Sequence, residues 1–133
     1  MNFKTDKYYY EEHIVGDNKY AWRVFDNNVQ VAFIGLKEIN KDTLELRFST
    51  KEDLRNKGYM TTIVGDIIRY AFENLNVKQI QGICDIKNVA SARVMEKNGM
   101  KNSETIDHYH AETNSNIKCY LYKIENSLRK END

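Results

Sequence analysis

Net charge is the first thing this chain lacks. Its 133 residues carry 20 Lys and Arg against 20 Asp and Glu, so no overall field draws it onto nucleic acid or an anionic membrane, and partners are expected to be recognised locally. Long apolar runs are missing too. Nothing approaches the roughly 20 residues needed to cross a bilayer, and residues 1–12 are polar and Tyr-rich rather than signal-like, so no membrane partner and a cytoplasmic location are expected. Cysteine is confined to Cys84 and Cys119, in separate segments and without a CxxC pattern. That is too few for a zinc site and weak for a disulfide framework; buried, reduced thiols are expected. His108 and His110 share one strand face with no third ligand nearby, so no metal is expected.

The length suits one compact domain, burying roughly two-thirds of its surface. We expect it over residues 1–125. Residues 126–133 form an almost wholly polar tail with too little apolar surface to hold a packed position. In the first half, residues 8–15, 20–25 and 29–39 are rich in Tyr, Val, Phe and Ile and read as strands, with Asp26-Asn27-Asn28 as a hairpin turn. Residues 43–50 alternate, with Leu44, Leu46 and Phe48 on one face and Glu45, Arg47 and Ser49 on the other.

The period then changes. Met60, Ile63, Val64, Ile67, Ile68, Ala71, Phe72 and Leu75 fall on one helical stripe, which predicts a helix opening near Lys57. Residues 79–86 read as a buried strand and 89–98 as a short helix. Residues 103–110 and 117–124 complete the chain as strands.

Between strand and helix, Arg55, Lys57 and Gly58 put two cations and a glycine at a helix N-terminus. The first amides of a helix lack internal partners and carry the positive end of its dipole, and a glycine lets an anion approach the backbone. Gly-Lys-Ser/Thr is absent and only one glycine sits in the turn, which excludes a P-loop and a dinucleotide fingerprint.

The string Arg55-Asn56-Lys57-Gly58-Tyr59-Met60 resembles the Arg/Gln-x-x-Gly-x-Gly/Ala signature of the GNAT acetyltransferase superfamily. Asn88-Val89-Ala90-Ser91 with Glu96-Lys97-Asn98-Gly99-Met100 is similar to that family's Asn-x-x-Ser … Glu-Lys-x-Gly-Phe stretch. The wording is nearest to the ribosomal-protein alanine N-acetyltransferase branch and covers roughly residues 44–100. The resemblance implies an α/β (α+β) fold, a mixed, mostly antiparallel twisted sheet with helices on its faces. It also implies acetyl-CoA as co-substrate and a primary amine as acceptor, either a protein N-terminus or a small molecule. The implied cofactor contacts are Leu46, Phe48, Ser49, Arg55, Asn56, Lys57, Gly58, Tyr59, Met60, Thr61, Asn88 and Ser91.

Glu45 aligns with a position where some members of the family place a general base; its alternative is a solvent-facing carboxylate paired with Arg47. The alternative for Asn88 is a helix N-cap, and the two roles are compatible. Met95 stands where several relatives carry a Tyr that protonates the departing thiolate, so Tyr109, Tyr120 and Tyr122 are the candidate replacements, Tyr109 first. The family usually places two helices between its first two strands, yet only a few residues separate Val15 from Tyr20. The acceptor side is therefore expected to be open, or completed by a second subunit in a homodimer. The alternative function is a non-catalytic acyl-CoA sensor or interaction module.

Overall fold

A computed structural model describes residues 1–50, 52–55 and 57–128. Eight strands form one sheet: β1 (Phe3–Lys4), β2 (Tyr9–Glu12), β3 (Tyr20–Asp26), β4 (Val29–Asn40), β5 (Thr43–Thr50), β6 (Gln79–Asp85), β7 (Lys101–His110) and β8 (Ser115–Glu125). Their spatial order is β1-β2-β3-β4-β5-β6-β8-β7. Every neighbouring pair is antiparallel except β5 and β6. Those two run parallel because the helix α1 (Tyr59–Asn74) carries the chain back between them. Helix α2 (Val89–Lys97) follows β6.

Local chemistry explains most boundaries. The turn between β3 and β4 uses Asn27 and Asn28 at φ 49° and 69°, the two left-handed positions of a tight hairpin, which Asn tolerates. Asn88 caps α2, its Oδ1 accepting from the Ser91 amide at 3.1 Å, and Gly99, at φ 84°, ends it. The apolar stripe of α1 buries Met60, Ile63, Val64, Ile67, Ile68 and Ala71.

That stripe lies on the sheet face bearing Tyr10, Trp22, Ile34, Leu36, Leu46 and Ile80. Helix α2 lies on the same face: Met95 packs at Gly82, where a Cβ would stand 2.5 Å from the Met95 Sδ, so only glycine admits this approach. The two helices also touch through Asn98, whose side-chain amide donates to the Thr61 carbonyl at 3.0 Å. No helix among the described residues covers the opposite face. The register places Phe33, Lys37, Glu45, Arg47, Gln81 and Lys123 there.

Three expectations need correction. The first strand begins earlier and ends sooner than expected, as β1 plus a short β2. Val15 lies outside it, because residues 13–19 fold across the open face instead of extending β2: the Asp17 carboxylate pairs there with Lys37 and Arg47. The tail does not begin unpacked either. Asn126 is 8% exposed, and its amide donates to the Val77 carbonyl at 2.9 Å. Both terminal strands are longer than their apolar cores, since the β7–β8 ladder continues through Ser115 and Lys101 on backbone pairing alone.

Candidate active site

Strands β5 and β6 pair only from Thr43↔Gln79 to Leu46↔Gly82. Beyond that point β5 stays with β4, through Thr50↔Ala32, and β6 stays with β8, through Asp85↔Cys119. The two strands therefore part into a wedge with its vertex at Leu46 and Gly82. Residues 47–50 have a strand neighbour on one side only. Backbone groups on their other edge are available to an extended ligand, which is the usual place for one at the carboxyl ends of parallel strands.

The wedge opens toward the start of α1. The chain leaves β5 through a short 3-10 turn (Glu52–Leu54) and enters the helix at Gly58, φ 79° and ψ 0°. No side chain caps this terminus, and its first turn holds no acidic residue. A Cβ on Gly58 would meet nothing within 4 Å. Glycine adopts this left-handed backbone without the strain most side chains would meet, and the space beside it is open to an anion. Arg55 and Lys57 are exposed next to it; Asn56 lies outside the described residues. Tyr59 is half-buried, and Met60, at 9% exposure, belongs to the core rather than to the loop surface.

On the open face, one residue before the vertex, stands Glu45. It is 8% exposed, more enclosed than a solvent-facing carboxylate. The Gln81 side-chain amide donates to its Oε1 at 2.8 Å, and the Arg47 Nε lies 3.7 Å from its Oε2. Arg47 in turn pairs with Asp17. Both readings of Glu45 thus meet in one place: it does pair with Arg47, and it also stands at the wedge. Leu46 and Phe48 turn the other way, into the core, and Ser49 is exposed on the open face.

The profile of the acetyltransferase (GNAT) domain matches residues 4–101. The chain belongs to the GNAT acetyltransferase family. A curated relative, the uncharacterized N-acetyltransferase YnaD of Bacillus subtilis (strain 168), is 32% identical over 65 residues, 49% of this chain and 38% of that protein. Among solved structures, a GNAT acetyltransferase from Bacillus anthracis superposes with a TM-score of 0.73 at 26% identity, covering 80% of this chain and 66% of that one. The ribosomal-protein-S5-alanine acetyltransferase of Vibrio fischeri gives 0.76 at 18%, covering 84% and 63%. Spermidine N-acetyltransferase from Vibrio cholerae, in complex with CoA and spermine, gives 0.73 at 18%, covering 81% and 66%. This GNAT chain thus spans less than two-thirds of the length of each of these relatives.

Two departures from the GNAT pattern now have structural form. Met95 is 1% exposed, a packed thioether at the vertex with no proton to give. Two of its candidate replacements hold bonds to other residues. Tyr109 lies at the end of β7, opposite Asn116 and beyond the last residue of β6. Its hydroxyl donates to the Asn114 Oδ1 at 2.6 Å, and the register turns it to the face opposite Glu45. Tyr122 sits beside Gly82 and donates to the Glu96 Oε2 at 2.7 Å; burial first, then that carboxylate, push its phenol above the ordinary range. Tyr120 is half-buried opposite Cys84. Both cysteines are free and buried, and burial pushes both thiols up. His108 and His110 stack edge to face 5.5 Å apart on the open face.

In place of the family's helical insertion runs the loop of residues 13–19, with the Asn18 side chain 2.7 Å from where a Gly35 Cβ would be. Sequence reasoning missed Gln81 and Asp17. Gln81 could have been found by carrying the alternation of β5 onto β6. Asp17 carries no such signal, since its role depends on how a loop folds.

Proposed function

We propose that this chain is an N-acetyltransferase, moving an acetyl group from acetyl-CoA to a primary amine by direct attack. The observation that carries the reading is the parting of β5 and β6 beside an uncapped helix N-terminus at Gly58. The residues present fit the cofactor. The amides of residues 58–61 would take its diphosphate with Arg55 and Lys57, and the free edge of residues 47–50 its pantetheine amides. Asn88 and Ser91, at the start of α2, are the proposed contacts on the β6 side of the wedge. Bound acetyl-CoA supplies an activated thioester.

Glu45 supplies the base. With one oxygen held by Gln81, its carboxylate has a defined orientation, and the other oxygen accepts the proton of the incoming amine directly or through one water. Met95 has no proton to give and Tyr109 and Tyr122 are bonded elsewhere, which leaves Tyr120, half-buried opposite Cys84, as the remaining candidate for a thiol-side acid. A second copy of the chain is the proposed cover for the open acceptor side. A binding module without turnover is the second reading, and Met95 at the vertex favours it.

One experiment separates the two. Release of free CoA thiol is followed with a panel of amines, for wild type and Glu45→Gln. An enzyme using this base loses on the order of 100-fold or more in kcat, with acetyl-CoA binding retained. Binding without thiol release from any amine would instead favour the module.

A further inference from the structure

We propose that Lys7 is a phosphate-binding residue of the cofactor site, delivered to the mouth of α1 by the turn between β1 and β2; the proposal rests on the acetyl-CoA reading above. In sequence Lys7 is some 50 residues from the Gly58 loop. In the fold its Nζ stands 5.7 Å from the ring centre of Tyr59, the first residue of α1, and 5.3 Å from that of Tyr8. Ring faces hold an ammonium group without neutralising it. Among the described residues Lys7 makes no ion pair, and neither does its exposed neighbour Asp6. A positive charge with no ion-pair partner among the described residues is therefore held against the ring of the first residue of α1, whose N-terminus is uncapped.

The turn that carries it is anchored to α1. The Thr5 amide donates to the Tyr8 carbonyl at 2.9 Å. The Tyr8 amide donates to the Thr5 Oγ1 at 3.2 Å, and that hydroxyl donates on to the Asp66 Oδ2 at 3.2 Å. Asp66 is 7% exposed on the apolar stripe of α1, a costly place for a carboxylate. Tying the turn to the helix gives it a purpose. One further observation points to a ligand at this corner. Tyr8 is 1% exposed, its ring lies 6.1 Å from that of Tyr59, and its hydroxyl has no partner at full hydrogen-bond geometry among the described residues, although the Lys7 ammonium is near enough to act against the burial that pushes its phenol up. Buried hydroxyls are seldom left so. CoA bears a diphosphate and a 3′-phosphate, more negative charge than Arg55 and Lys57 balance alone, and Lys7 is the third cation.

The test is titration calorimetry of the full chain with acetyl-CoA and with acetyl-3′-dephospho-CoA, at low and moderate salt, for wild type, Lys7→Gln and Lys7→Arg. We expect Lys7→Gln to weaken acetyl-CoA binding roughly tenfold, as for loss of a charged hydrogen bond. Its salt dependence should become shallower and its melting temperature stay unchanged, while Lys7→Arg stays near wild type. A loss seen with acetyl-CoA alone assigns Lys7 to the 3′-phosphate, and a loss with both ligands assigns it to the diphosphate; either supports the proposal. Wild-type affinity in Lys7→Gln would overturn it while leaving the cofactor reading intact. Absence of binding by wild type would remove both.

Discussion

On the helix side of the sheet, Tyr10, Trp22, Ile34 and Leu46 are each no more than 4% exposed. On the other side Asp17, Lys37 and Arg47 meet water as one exposed ion-pair cluster under a single loop. The covered face is held by apolar burial, which is strong and indifferent to detail. The uncovered face is held by polar contacts, which contribute little to stability and much to chemistry. The wedge joins them. In the proposed function its cofactor half is made by backbone and by a helix start, so the fold alone would supply it. The proposed acceptor half is made by side chains, Glu45 and Gln81 first, so it would be free to differ among chains of the same fold.

Substitutions can break or sharpen that contrast. The largest effect is expected on the covered face. Trp22 stacks edge-on against Phe3 and Tyr70, and Trp22→Ala should cost about 3–5 kcal/mol, a large part of a small domain's stability. A denaturation midpoint close to wild type would mean that this face is not what holds the fold.

Next comes the polar exception on that face, the Tyr10 hydroxyl donating to the Asp66 Oδ2 at 2.6 Å. Tyr10→Phe should cost roughly 1.5–3 kcal/mol, as for a bond to a charged group. Burial first, then Asp66, raise the Tyr10 phenol above its ordinary 10.0. The folded state therefore keeps a proton that the unfolded chain releases. Stability is full below pH 10 and falls as pH climbs above that value. Thermal melts between pH 8 and 11 should show the fall in wild type and a shallower one in Tyr10→Phe; identical slopes would refute the assignment.

The smallest stability effect belongs to the open face. Asp17→Ala should leave the melting temperature unchanged, yet loosen the loop of residues 13–19 enough for trypsin to cut faster after Lys19. Unaltered cleavage would show that the ion pairs with Lys37 and Arg47 do not hold the loop down.

What could be read from the chain follows the same division. The strand Thr43–Thr50, the stripe of α1, the Asn27-Asn28 turn and the Asn88 cap are encoded in periodicity and in the special chemistry of Asn, and all stand where expected. The Gly58 loop was legible because a helix N-terminus, two cations and a glycine are adjacent in sequence. Contacts across the sheet were not. Whether Glu45 meets Gln81, whether residues 13–19 fold over the sheet, and whether Lys7 reaches Tyr59 all depend on which strands become neighbours. Asn126 was missed for the same reason: its partners, Val77 and Phe72, lie far back in the chain.

The central claim is that acetyl-CoA binds in the wedge with its diphosphate at Gly58, and titration calorimetry of wild type and Gly58→Asp tests it most directly. The substitution keeps a residue type that tolerates the left-handed backbone but places a carboxylate where the anion would sit. The account predicts saturable 1:1 binding of acetyl-CoA by wild type and its loss in Gly58→Asp with the melting transition preserved. No binding by wild type, or undiminished binding by the variant, would contradict it.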